Sequence, residues 1–267
     1  MPIDFSKLSK EKRNRVAHLY FDVDDTLTTK GLLKPEAVAA LYQAADAGLS
    51  LVAVTGRSAA WAEMLFRIFP LKAVIGETGA LYFANRNGQL SVVHHEKDSQ
   101  VRSQHKERRD KAAQAVLSEI PGARLASDNM GRLYDVAFDL VEDGPPVPAA
   151  IAAQIRSRLE DDGLNVMQSS VHINAFFGSF NKATMVRQYL QNEENTNLEA
   201  IAETIVYVGD SANDGSLFEI LPLSVGVANI EPHLPALEAL GQAPAYRVNL
   251  NGGSGFARVV ELILEAK

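Results

Sequence analysis

Asp22-Val23-Asp24-Asp25-Thr26 follows directly on Val16-Ala17-His18-Leu19-Tyr20-Phe21, a short and mostly apolar run. Such a run reads as a buried strand. Three carboxylates crowd its carboxyl end, where like charges repel and raise one another's pKa. Taken alone, they are either solvated turn residues or oxygen ligands of a hard cation. Ligands of an open α/β sheet bind outside the carboxyl ends of its strands, which is where this stretch would lie. The chain must then gather positive charge at that end of a sheet.

The flanking sequence has the grammar of such a sheet. Lys34-Pro35 opens a helix with proline at a favoured early position, Ala37, Val38, Leu41, Ala44 and Ala45 give it an apolar face, and Gly48 closes it. Residues 49–54 read as a second buried strand and Thr55-Gly56-Arg57-Ser58 as the turn after it, with Ser58 capping a helix through Trp61, Leu65 and Ile68. Ala73-Val74-Ile75 reads as a third strand. Strand, helix, strand, helix, strand implies parallel pairing with right-handed crossovers. The same grammar returns at 181–191 (helix), 204–208 (strand into Gly209-Asp210), 215–220 (helix), 223–227 (strand) and 256–265 (helix).

The middle of the chain differs. Residues 80–83 and 89–93 flank Asn85-Arg86-Asn87-Gly88, a hairpin signal. A charged helix over 99–120, an alternating strand over 133–141, a helix over 148–162 and strands over 164–168 and 171–176 follow. Helix–strand–strand, repeated, predicts an antiparallel sheet with helices on one face. The expected fold is α/β: a Rossmann-like parallel-sheet core, residues 1–83 and 180–267, with an inserted α+β cap domain, residues 84–179, and linkers near Ala84 and Gly178. Residues 1–15 read as a polar lead-in.

Three further segments stand with the first: Val54-Thr55-Gly56-Arg57, Asn181-Lys182-Ala183 and Gly209-Asp210-Ser211-Ala212-Asn213-Asp214. In this order the four resemble the motifs of the haloacid dehalogenase-like superfamily, most of whose members are phosphatases. The resemblance covers the core, not the middle of the chain. Phosphoryl transfer needs an in-line nucleophile and positive charge on the equatorial oxygens, and a carboxylate can be that nucleophile. On the resemblance, Asp22 forms an aspartyl-phosphate, while Asp24 protonates the leaving alkoxide and later deprotonates water. Thr55, the Gly56 N–H and Asn181 are expected to bind phosphate oxygens, and Arg57 is either an anion contact or solvent-facing. Lys182 steadies the charge of Asp22 and the phosphoryl oxygens. Asp210, with Asp22 and the backbone carbonyl of Asp24, is expected to hold Mg2+. Asp214 binds the metal directly or through water, or else holds Lys182. Asp25, where many members carry glycine, is read as a helper of the turn.

Other residues are read more broadly. Glu77-Thr78-Gly79-Ala80 falls where superfamily members often carry Glu-Asn-Gly-Ala, and Glu77 either approaches substrate or serves the turn. His172 and Asn174 share one face of a predicted strand of the insert, facing either substrate or packing partners. His94, His95 and His105 lack metal-ligand spacing, and Lys106, Arg108, Arg109 and Lys111 read as a solvated helix face. The run from Gly252 to Gly255 lacks a Rossmann context and reads as a helix-entry turn.

Composition removes several classes. The chain has no cysteine, which excludes disulfides and thiolate metal sites. It has no apolar run of about eighteen residues, the length of a membrane span, and its first residues lack the apolar core of a signal peptide. A cytoplasmic location is expected. The formal net charge of −7 speaks against a general nucleic-acid binder. The expected activity is Mg2+-dependent hydrolysis of a small phosphorylated metabolite, a sugar phosphate by analogy with the cap type of sugar-phosphate phosphatases. No nucleic-acid or membrane partner is expected, and the oligomeric state is left open. Two rivals remain: a phosphomutase, marked by isomerised product with little free phosphate, and a non-catalytic phosphate-binding regulatory protein, against which the pairing of Asp22 with Asp24 argues.

Overall fold

The apolar runs become strands in the computed structural model, which describes residues 2–169 and 171–267. In chain order they are β1 (Ile3–Asp4), β2 (His18–Phe21), β3 (Ser50–Val54), β4 (Ala73–Gly76), β5 (Leu81–Arg86), β6 (Gln89–His94), β7 (Asp135–Asp139), β8 (Asn165–Gln168), β9 (His172–Phe176), β10 (Ile205–Gly209), β11 (Leu223–Gly226) and β12 (Tyr246–Arg247). One sheet runs β1-β12-β11-β10-β2-β3-β4-β5-β6. Neighbours from β1 to β4 are parallel, and β5 and β6 are antiparallel. Successive residues of a strand face opposite sides. Leu19 and Phe21 therefore pack with the helices Pro35–Asp46 and Gly252–Leu264, and Tyr20 with the helix Lys182–Glu193 on the other side.

The register decides where the polar residues go. Phe21 lies between Val208 of β10 and Ala53 of β3. Asp22, Asp210 and Thr55 each follow the last residue of one of these strands, so they leave the sheet side by side at its carboxyl end.

A second sheet, β7-β9-β8, is antiparallel. The helices Ser99–Glu119 and Ala149–Asp161 cover one face, Ala112, Val116, Ile155 and Leu159 packing with Val136, Phe138, Ile173 and Ala175. The alternate residues Asp135, Asp139, His172 and Asn174 are buried too. They belong to the face turned toward the large sheet, where Asn174 Nδ2 lies 3.5 Å from Gly56 O.

Four expectations need correction. The hairpin assigned to the insert from Ala84 onward belongs to the large sheet, because Leu81 and Phe83 pack into one apolar layer and Tyr82 and Ala84 into the other. The first helix–strand–strand unit keeps one full strand; the other is reduced to a single bridge between Leu125 and Phe138. The polar lead-in contributes edge strand β1, paired with β12, and the fully buried Phe5. Arg109 is not a solvated residue: it is buried and donates to Asp135 O at 2.9 Å. Among the described residues no helix is long and apolar enough to cross a membrane.

Candidate active site

Buried charged groups gather at the carboxyl ends of β2 and β10. Lys182, fully buried, donates from Nζ to Asp22 Oδ1 at 2.7 Å, Asp214 Oδ1 at 2.6 Å and Asn213 Oδ1 at 3.2 Å. The helix that carries Lys182 is fixed at its start by a capping box. Asn181 Oδ1 accepts the Thr184 N–H at 2.8 Å and Thr184 Oγ1 accepts the Asn181 N–H at 2.9 Å. Asn181, expected at the phosphate, thus uses its side-chain oxygen as a cap. Gly79 lies against it at φ 107°, and a Cβ there would fall 2.2 Å from Asn181 O, so glycine lets the two segments cross.

Asp214 is held on both oxygens. Oδ2 accepts the N–H groups of Asp210 and Ser211 at 2.9 and 3.1 Å, and Oδ1 accepts Lys182 and the Tyr207 hydroxyl. Asp210 is freer: Oδ1 lies 3.4 Å from the Thr26 hydroxyl and Oδ2 accepts Asn229 Nδ2 at 3.1 Å. Asn229 also donates to Asp25 O at 2.9 Å and accepts the Gly252 N–H at 3.0 Å, tying three loops together. No motif pointed to Asn229. Asp25 stands at φ 51°, in the left-handed region, and its Oδ1 accepts the Lys30 N–H at 2.8 Å. It serves the turn.

Carboxylate oxygens of Asp22, Asp210 and Asp214 all lie within 4.8 Å of one another. Burial pushes the Asp22 carboxyl up to about 7, with Lys182 opposing and Asp214 and Asp24 adding. Burial, then Asp214 and Asp22, hold Asp210 well above the ordinary carboxylate range. Burial works against the Lys182 ammonium, but Asp214 and Asp22 outweigh it and keep its pKa high. Three buried carboxylates face one ammonium, a surplus of negative charge that water cannot screen. An all-oxygen, anionic donor set of this kind fits a hard divalent cation. None of His94, His95 and His105 belongs to that group.

Thr55 and Gly56 occupy the turn after β3. The Thr55 hydroxyl is buried and accepts the Arg57 N–H at 3.0 Å. Arg57, expected either as an anion contact or in solvent, is buried between two carboxylates. Nε lies 2.9 Å from both Asp24 oxygens and Nη2 lies 2.6 Å from Asp24 Oδ1. Nη1 and Nη2 reach Glu142 Oε2 and Oε1 at 2.8 and 2.6 Å. The guanidinium lies over the Trp61 ring, 4.9 Å from its centroid. Glu142 follows β7, and Oε2 lies 3.1 Å from His172 Nε2. Contact with His172, then Arg57, holds Glu142 down to about 2 against the cost of burial.

The insert docks through backbone as well as side chains. Fully buried Glu77 accepts the N–H groups of Ala59 and Leu133 on Oε1 at 3.0 and 2.8 Å, and those of Tyr134 and Asp135 on Oε2 at 2.6 and 3.0 Å. Burial, then Asp135, pushes its carboxyl up to about 7, with Arg132 opposing. Arg132 pairs with Asp128 at 2.8 Å and Asp135 at 2.9 Å and donates to Gly56 O at 3.0 Å. Asn174 Nδ2 donates to Asp135 Oδ2 at 2.7 Å. The expected face of His172 and Asn174 is thus the docking face. Glu142 and Arg132 lie on irregular segments with no local pattern to single them out.

The family model described as sucrose-6F-phosphate phosphohydrolase matches residues 16–255. A phosphoglycolate phosphatase of Methanothermobacter thermautotrophicus is 28% identical over 219 residues, 80% of this chain and 86% of that protein. Among solved structures, the sucrose-phosphatase of Synechocystis, in complex with sucrose and phosphate, has a TM-score of 0.62 at 18% identity, over 92% of this chain and 97% of its own. A Thermoplasma acidophilum protein gives 0.71 at 18% identity over 94% and 99%. The C-terminal domain of a C. albicans trehalose-6-phosphate phosphatase gives 0.70 at 15% identity over 99% and 98%. At these identities the structural likeness speaks for the fold.

Proposed function

Because the chain belongs to the sucrose-6F-phosphate phosphohydrolase family, we propose that it hydrolyses a small sugar phosphate through an aspartyl-phosphate on Asp22, with Mg2+ bound. The family lies within the haloacid dehalogenase-like superfamily, and both it and the curated relative are phosphatases. The chain is accordingly a hydrolase of phosphate monoesters. The observation that carries the reading is the contact of Lys182 with both Asp22 and Asp214 beside Asp210.

Asp22 attacks phosphorus and the bond to the leaving oxygen breaks. Asp24 gives that oxygen its proton, then takes one from the water that hydrolyses the aspartyl-phosphate and restores Asp22. The Thr55 hydroxyl and Gly56 N–H orient phosphoryl oxygens, and Lys182 stabilises their charge. Asp22, Asp210 and the backbone carbonyl of Asp24 would hold Mg2+, while Asp214, its oxygens already engaged, serves as the anchor of Lys182. When bound, the cation reduces repulsion between Asp22 and the incoming phosphate and polarises the phosphoryl group. The insert domain, seated over this end of the sheet, excludes bulk water and reads the leaving group.

The test is phosphate release from a panel of sugar and other phosphate monoesters. Release is expected with Mg2+, none in excess chelator, and recovery when Mg2+ is restored. Full activity in chelator contradicts the metal requirement, and isomerised hexose phosphate without free phosphate favours a mutase.

A further inference from the structure

We propose that Glu142, carried by the insert, is a positioning residue for the reaction: through Arg57 it holds the Asp24 carboxyl where proton transfer to the leaving oxygen takes place. The inference rests on the phosphatase reading above.

Arg57 divides its donors between the two carboxylates. Nε and Nη2 face Asp24, while Nη1 and Nη2 face Glu142. A planar guanidinium clamped along two edges has almost no freedom to swing, and Trp61 supports one of its faces. Asp24 Oδ1 accepts two N–H groups and Oδ2 accepts one. Oδ2 is therefore the oxygen with a lone pair left for a substrate atom. Remove the Glu142 carboxylate and Nη1 loses its acceptor, the guanidinium turns about Asp24, and Asp24 turns with it.

Glu142 is itself built into place. Asp139 Oδ1 accepts the Glu142 N–H at 2.7 Å and the Val141 N–H at 3.1 Å, while Arg124 donates to Asp139 Oδ2 at 2.6 Å. His172 flanks the Glu142 carboxylate from β9. A surface ion pair formed by chance has no such support. Because Glu142 belongs to the insert and Arg57 and Asp24 to the turns after β3 and β2, the clamp exists only while the insert is seated. The acid that completes bond cleavage is thereby aligned when water is excluded.

The chemistry offers a readout that a merely structural role does not move. p-Nitrophenolate departs without a proton, whereas phenolate, a poorer leaving group, gains from one. The full-length protein with Mg2+ is assayed on p-nitrophenyl phosphate and phenyl phosphate, and kcat/KM is compared for wild type, Glu142→Gln and Arg57→Lys. Glu142→Gln is expected to lose about 10- to 100-fold on phenyl phosphate, the range set by a misplaced acid, with less than about a 3-fold loss on p-nitrophenyl phosphate. Arg57→Lys, which keeps the charge without the two-edged fork, is expected to show the same asymmetry, and Glu142→Asp to recover part of the loss. An equal loss on both esters, or none on either, overturns the proposal. A wild-type protein that releases phosphate from neither ester contradicts the phosphatase reading and removes the proposal with it.

Discussion

The end of the large sheet and the inward face of the insert are both buried and both highly charged, yet they are built on opposite rules. At the sheet end, three carboxylates crowd one ammonium, and burial pushes Asp22 up to about 7. Where the insert docks, Glu77, which follows β4, is also pushed up to about 7 by burial but accepts four N–H groups, and Arg132 of the insert is matched by Asp128 and Asp135. The first region is left electrostatically unbalanced, as the proposed uptake of a cation and a phosphate requires. In the second, the buried carboxylates and guanidinium named here are met by partners, as a docking surface requires. Arg57, between Asp24 and Glu142, joins the two through its side chain.

The comparison breaks most visibly at Asp22. Asp22→Asn is expected to lower turnover by about four orders of magnitude or more, the loss typical of a removed nucleophile. Its thermal midpoint is expected to hold or rise, because an amide is cheaper to bury than a charged carboxylate. Retained turnover would place the chemistry elsewhere. Glu77→Gln is expected to do the reverse. An amide cannot accept all four N–H groups, and the buried donors left over cost roughly 2–4 kcal/mol, read as a lower urea midpoint. An unchanged midpoint would show that Glu77 does not hold the insert.

The smallest effect is a pH slope in chelator. Asp22 is raised to about 7 in the folded protein, far above a carboxylate in the unfolded chain. The folded state then binds more protons between those values, so stability is greatest at the acid end and falls as pH rises toward about 7. Glu77, raised in the same direction, adds to the slope. Thermal midpoints measured from about pH 5 to 8 with EDTA should decline, and Mg2+ should flatten the decline at its upper end. A midpoint that rises across this range would contradict the balance of charge assigned to the sheet end.

The two regions also differed in how readable they were. Asp22, Thr55 and Asp210 each end an apolar strand, so a local pattern marks them, and parallel register does the rest. Lys182 opens a helix at the return from the insert, and the family resemblance, not a local pattern, singles it out. Asn229 had no such mark: it lies on the 3-10 segment Ala228–His233 and reaches Asp210 and Asp25 only after folding. Glu142 and Arg132 lie between elements, and the contacts that tie them to the turn after β3, Glu142 with Arg57 and Arg132 with Gly56 O, span 85 and 76 positions of the chain. The hairpin at 81–94 joins the large sheet and not the insert, and its sequence does not say which, because an apolar strand edge looks the same whichever sheet it joins. Docking surfaces are written in tertiary contacts, and single-strand patterns do not carry them.

The most direct measurement is to quench the protein in acid during turnover of a good ester with Mg2+ present and to map its peptides by mass. One phosphoryl group is expected on the peptide containing Asp22 in the wild type, and none in Asp22→Asn. Rapid phosphate release with no phosphoryl group on that peptide at any quench time, or a phosphoryl group on another residue, would contradict the account.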